Sequence, residues 1–132
     1  MQKQILIKLS VLQFLQFYVW GSWFVTGGTY LLQNLEYSGR EVALIYASFS
    51  IAATITPLFL GILADKVFAV EKLLAILHII GAVLLFALSI TSSFYVFYAL
   101  MFLYVLCYVP TFSLSSSMCF HHIENIKKDF QW

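Results

Sequence analysis

Between Lys8 and Glu36 the chain carries no charged side chain, so the whole run from Leu9 to Leu35 is charge-free. At 1.5 Å rise per residue, about 20 residues cross a hydrocarbon layer roughly 30 Å thick, and this run is long enough to do so as a helix. It is not uniformly greasy. Set out at about 100° per residue, Gln13, Gln16, Trp20, Trp23, Gly27 and Tyr30 fall on one arc, Ser22 points the other way, and Leu15, Val19 and Val25 lie off the arc among apolar residues. Two amides, two indoles and a phenol on one stripe of a membrane helix call for other helices or a water-filled cavity rather than acyl chains. The spacing therefore predicts a stripe turned toward a hydrated interior.

Composition fixes the class. Of 132 residues 62% are hydrophobic and only 10% charged, where a soluble domain carries about 25% charged residues. The chain reads as an integral membrane protein in contact with the lipid bilayer. Its seven Lys and Arg are scattered and form no basic face, which argues against nucleic acid as a partner. Cys107 and Cys119 stand twelve apart in or near one apolar segment. Helical rise alone would separate them by about 18 Å, so they read as small buried hydrophobes and not as a disulfide. Lys3 and Lys8 precede an apolar run far longer than a signal-peptide core, so the first helix reads as retained.

Charges cut the chain into four expected spans, at about 9–32, 42–63, 73–90 and 94–118, followed by a tail at 119–132. Glu36, Arg40 and Glu41 mark the first loop. Asp65 and Lys66 end the second span. The polar break Thr91-Ser92-Ser93 divides the charge-free stretch from Leu73 to Ile123, which is too long for one crossing. On this division Lys3, Lys8, Lys66, Lys72, Lys127 and Lys128 share one side and Arg40 alone takes the other, so both termini are expected in the cytoplasm. Span two has a small-residue stripe, Ala47, Ser50, Thr54, Pro57 and Gly61, that would admit a neighbouring backbone, with a bend expected at Pro57. Span three is aliphatic apart from His78, as suits a peripheral, lipid-facing helix. Span four places Met101, Tyr104, Tyr108, Thr111, Ser115 and Met118 on one narrow face, with Pro110 in its middle. The expected architecture is an all-α polytopic bundle around a central cavity.

Two sets of residues carry a family resemblance. Gly61-Ile62-Leu63-Ala64-Asp65-Lys66 resembles the loop signature between helices two and three of the major facilitator superfamily, although Phe68-Ala69-Val70 replace its second glycine and paired arginines. Gly61 would allow close helix approach, and Asp65 could cap a helix N-terminus. The first span is more specific. Phe14-Leu15-Gln16-Phe17, Trp20-Gly21-Ser22-Trp23 and Gly28-Thr29-Tyr30 resemble the first helix of the nucleoside:proton symporters of that superfamily. Gly61–Lys66, His78 with Gly81-Ala82, and Tyr108-Val109-Pro110-Thr111 follow in the same order, and Glu124-Asn125 with Asp129-Phe130 resembles the loop before the family's fifth helix.

The resemblance implies the N-terminal part of a twelve-helix fold and, in the complete family member, nucleoside transport by proton symport across the bacterial inner membrane. This chain would be a fragment inactive by itself, with the remaining helices absent or supplied as a separate chain. The family's fifth-helix arginine and its coupling acids have no counterpart here, and the spans hold no Asp or Glu. Gln16, Trp20 and Trp23 are the expected nucleoside-lining residues, since an amide can bond base or ribose edges and an indole can stack on a base. Tyr104, Tyr108 and Thr111 are further cavity candidates. The plainer alternatives are that Gln13 and Gln16 bond across to span four, a contact worth ~0.6–2 kcal/mol, and that the span-four residues only pack. Two functional rivals stay open: a four-helix exporter acting as a dimer, which in known cases carries a first-helix glutamate absent here, and a non-transporting assembly subunit. His78 reads as a packing or interface histidine. Cys119, His121 and His122 offer no ligand set at metal spacing, no enzyme constellation is present, and no cofactor is expected.

Overall fold

The computed structural model describes the backbone of residues 2–66 and 70–122 and the side chains of 4–56 and 70–120. Four helices account for it: α1 Gln2–Gln33, α2 Gly39–Lys66, α3 Val70–Ser89 and α4 Phe94–His122. Among the described residues, Gln4–Gln33, Val70–Ser89 and Phe94–Phe120 are long and apolar enough to cross a membrane. The first two charge-free stretches in the sequence have each become one helix, and the third, longest one divides at Thr91–Ser93, where the polar hydroxyls stand. The chain is an all-α polytopic bundle.

Helix α4 is the axis. It packs along α3 and α2, and α1 leans on it more sparsely. The reason is its one continuous inward face: Met101, Tyr104, Tyr108, Thr111 and Ser115 are all buried, as their spacing predicts. Against it pack Leu31 of α1, Ile45 and Ala52 of α2 and Leu88 of α3. A smaller cluster of Leu73, Leu74 and Leu114 closes the bundle near the chain termini. The outer surface is apolar. Phe14, Tyr18 and Val25 of α1 and Ile79, Val83 and Phe86 of α3 are all exposed, Val25 at 77%. In a bilayer such a surface faces acyl chains at no hydrophobic cost.

Helix α2 turns differently from its expected packing. Ala47, Ser50 and Thr54 of the small-residue stripe are exposed, and the buried face is Ile45, Ser48, Ala52 and Thr56. Bulky Ile45 fills the core against α4, on the same side as Ser48, Ala52 and Thr56. The side chains of Pro57 and Gly61 lie outside the described residues.

The turns show why the elements stop where they do. At the end of α1 the N–H groups of Asn34 and Leu35 return to the Tyr30 carbonyl, and that of Tyr37 returns to Leu31 at 3.0 Å. Glu36 makes the reversal in the left-handed region, at φ 56°. Ser38 then caps α2 in a reciprocal box: its backbone N–H and its hydroxyl donate to Glu41 Oε2 at 2.8 and 2.7 Å, and Glu41 N–H donates back to Ser38 Oγ at 3.3 Å. Arg40 and Glu41 therefore belong to the first turn of α2 rather than to the loop. Tyr37 donates its hydroxyl to the Ser92 carbonyl at 2.9 Å and packs edge-on against Phe94 and Phe97, tying the α1–α2 and α3–α4 turns together.

Candidate functional site

Gln16, Trp20 and Trp23 recur at intervals of four and three, which puts them on one side of α1, and that side meets α4. Gln16 is 1% exposed, and its Nε2 donates to Thr111 Oγ1 at 2.5 Å. Thr111 Oγ1 donates in turn to the Tyr108 carbonyl at 2.5 Å, and the Tyr108 hydroxyl donates to the Gln16 carbonyl at 2.5 Å. These three bonds form a closed circuit between the two helices. Toward the chain termini, Gln13 Nε2 donates to Cys119 Sγ at 3.3 Å. Cys119 is thus a half-buried acceptor, not the buried hydrophobe that its surroundings in sequence suggest; Cys107 is half-buried as well.

Aromatic rings continue the seam. Trp23 stands edge-on to Tyr104 at 5.5 Å, Tyr104 stacks on Tyr108 at 5.5 Å, and Trp20 contacts Phe24 at 5.0 Å and Phe112 at 6.1 Å. Gly81 of α3 lets the Tyr104 ring approach: a Cβ there would already stand 3.5 Å from it. Gly27 and Gly28 do the same for Tyr46, whose hydroxyl donates to the Phe24 carbonyl at 2.9 Å and lies 3.3 and 3.4 Å from where their Cβ atoms would be.

The seam contains an unusual concentration of buried polar atoms without hydrogen-bond partners: Gln16 Oε1, Trp20 Nε1, Trp23 Nε1 and the Tyr104 hydroxyl, with Thr56 Oγ1 on α2. Each such group costs about 1–3 kcal/mol, and a cluster of them marks a place where stability has been conceded. One amide oxygen can only accept, two indoles can only donate, and a phenol can do either.

Besides a cavity of about 320 Å³ beside Gln13 and Cys119, two others flank the seam. One of about 380 Å³, toward the α1–α2 turn, is bordered by Trp23, Gly27, Tyr30, Tyr46, Leu88 and Met101 among others. The other, about 510 Å³ and toward the chain termini, runs between α1 and α3 beside Leu15, Gln16, Glu71, Leu74, His78 and Met118. Tyr104, Tyr108 and Thr111 lie in the packed wall between them. Where a hydrated interior is expected between spans one and four, Gln16 and Thr111 instead meet in direct hydrogen bond, so at their height the two helices are in side-chain contact. His78 is half-buried, its Nδ1 lies 2.9 Å from the Leu74 carbonyl, and its ring stands edge-on to Tyr108 at 6.3 Å.

The backbone of Gly61, Asp65 and Lys66 forms the last turns of α2, so this stretch is helical and not a loop; their side chains lie outside the described residues, as do those of His121 and His122. Sequence reading missed the Ser38–Glu41 box and the Tyr37 tie. The first had a signal, the Ser-x-x-Glu spacing. The second depends on two turns meeting in space and had none.

Three helices packed about α4, with a polar and aromatic seam inside, define a multi-pass membrane protein of the major facilitator type. The chain belongs to the nucleoside H+ symporter family, whose family model matches residues 3–132. It is 38% identical over 117 residues to the xanthosine permease of Escherichia coli K12, covering 88% of this chain and 28% of that protein. It is 33% identical over 123 residues to the nucleoside permease NupG of the same organism, covering 93% of this chain and 29% of that one. The crystal structure of nucleoside transporter NupG superposes with a TM-score of 0.89 at 34% identity, over 94% of this chain and 32% of that chain. The chain thus spans less than a third of the length of these relatives.

Proposed function

We propose that this chain takes part in proton-coupled nucleoside transport, and that the seam of α1 and α4 forms one wall of the nucleoside path. The observation that carries the reading is the cluster of buried, unpartnered polar atoms on Gln16, Trp20, Trp23 and Tyr104. In a membrane interior such groups persist where a polar ligand can satisfy them. The relatives' names, xanthosine permease and nucleoside permease, supply the ligand class. Gln16 and Trp23, which border the two cavities, are the proposed contacts, with Trp20, Tyr104, Tyr108 and Thr111 behind them. The chain acts as a transporter component and not as an enzyme. Alternating access by rocking needs two helical bundles, and these four helices would supply part of one of them. The Lys excess supports an orientation with both termini in the cytoplasm and Arg40 outside.

The test is nucleoside binding to the purified chain in lipid nanodiscs, followed by quenching of tryptophan fluorescence. Saturable quenching by uridine, weakened about tenfold or more in Gln16→Ala and in Trp23→Ala, supports the reading. Quenching that those substitutions leave unchanged, or none at all, rejects it. Topology is checked separately: a cysteine placed at Ser92 should react with an impermeant maleimide in intact cells, and failure to react there would reverse the orientation.

A further inference from the structure

The α1–α4 circuit fixes the direction of every hydrogen bond in it, and this inference rests on the reading of the seam as a nucleoside wall. A backbone carbonyl only accepts, so the Tyr108 carbonyl takes the single hydroxyl proton of Thr111. With that proton committed, Thr111 Oγ1 has only lone pairs to offer Gln16. The carboxamide must therefore turn its Nε2 toward Thr111 and its oxygen away. Tyr108 reinforces this by spending its own hydroxyl proton on the Gln16 carbonyl, which holds the α1 backbone at that height beside α4. The result is a side chain 1% exposed whose Oε1 is buried without a partner, on a residue that borders the 510 Å³ crevice.

We infer that Thr111 and Tyr108 are positioning residues that lock the Gln16 carboxamide with its oxygen free, so that Gln16 selects ligands by a hydrogen-bond donor. An amide able to flip would accept a donor or an acceptor equally. A locked one discriminates, because a ligand acceptor placed against Oε1 leaves two lone pairs facing each other with neither satisfied. In a nucleoside the donor is a ring N–H of the base or a hydroxyl of the ribose, and the same lock reads either.

The experiment compares uridine, 3-methyluridine (ring N–H blocked) and 2′,3′-dideoxyuridine (ribose hydroxyls removed) for binding to the chain in nanodiscs. One of the two analogues is expected to bind about tenfold more weakly than uridine, the ratio that one buried hydrogen bond supports; which one identifies the donor. Thr111→Val, nearly isosteric, releases the amide and should bring that ratio to within about twofold. Thr111→Ser restores the hydroxyl and should restore the ratio. A wild-type chain that binds both analogues as tightly as uridine overturns the inference, as does a Thr111→Val variant that keeps the wild-type ratio.

A chain that binds no nucleoside at all sinks the functional reading, and the lock is then judged without ligand. Its side-chain 15N–1H2 resonances, identified through Gln16→Leu, should show one shifted, solvent-protected Nε2 proton in wild type and Thr111→Ser. That proton should be lost in Thr111→Val. An unchanged pair of resonances in Thr111→Val overturns the lock.

Discussion

At the scale of single residues, the glycines of α1 divide by what stands over them. Nothing lies within 4 Å of a Cβ added at Gly21, whereas one added at Gly27 would meet the Tyr46 hydroxyl at 3.3 Å. That hydroxyl is pinned by its bond to the Phe24 carbonyl and cannot retreat without losing it. Gly21→Ala is therefore expected to raise the melting temperature in detergent, by up to the ~1 kcal/mol that separates Ala from Gly in a helix. Gly27→Ala is expected to lower it, and to cost less in a Tyr46→Phe background, with a coupling of roughly 0.5–3 kcal/mol in the double-mutant cycle. Equal costs in both backgrounds would mean the hydroxyl is not the obstacle. That the neighbour over Gly27 and Gly28 is Tyr46 follows only from how α2 is rotated.

At the scale of elements, the start of α2 depends on two side chains that read as ordinary loop polars in sequence. Hydrogen bonds from the Ser38 hydroxyl and backbone N–H hold the Glu41 carboxyl below its ordinary pKa. A lowered value in the folded state means that the cap is intact above the ordinary carboxylate range and is lost as pH falls through the lowered value. The Ser38 amide resonance should titrate with Glu41 below the usual midpoint and should not move over that range in Glu41→Gln; a midpoint at the ordinary value would show that the box does not form in solution. Ser38→Ala removes the cap itself, at about 1 kcal/mol. The Tyr37 phenol is shifted in the other direction, above the ordinary tyrosine value, by burial first and then by Glu41 and Tyr30. Its tie to Ser92 is present at neutral pH and lost as alkaline pH passes the raised value. Tyr37→Phe should abolish that alkaline step in thermal unfolding and cost about 0.5–1.5 kcal/mol at neutral pH.

For the whole molecule, the decisive contrast is between an apolar outside and a polar seam inside. Spin labels at Val25 and Val83, in a background lacking Cys107 and Cys119, should relax readily with dissolved oxygen in a bilayer, and one at Val105, which is 0% exposed, should not. Comparable accessibility at all three positions would contradict the bundle. Much of this arrangement was legible beforehand, because charges are too costly to bury in lipid: their absence marked the spans, and the hydroxyls of Thr91–Ser93 marked the break. The inward face of α4 was legible for a different reason, since periodicity alone places Tyr104, Tyr108 and Thr111 together. What the sequence left open is the partnering of faces. Helical periodicity says which residues share a side and nothing about which helix that side meets, so Ala47, Ser50 and Thr54 gave the wrong face of α2. It likewise could not decide whether Gln16 meets water or Thr111. Only the tertiary structure sets that distance, because the depth to which α1 settles on α4 is a property of both packed surfaces and belongs to neither alone.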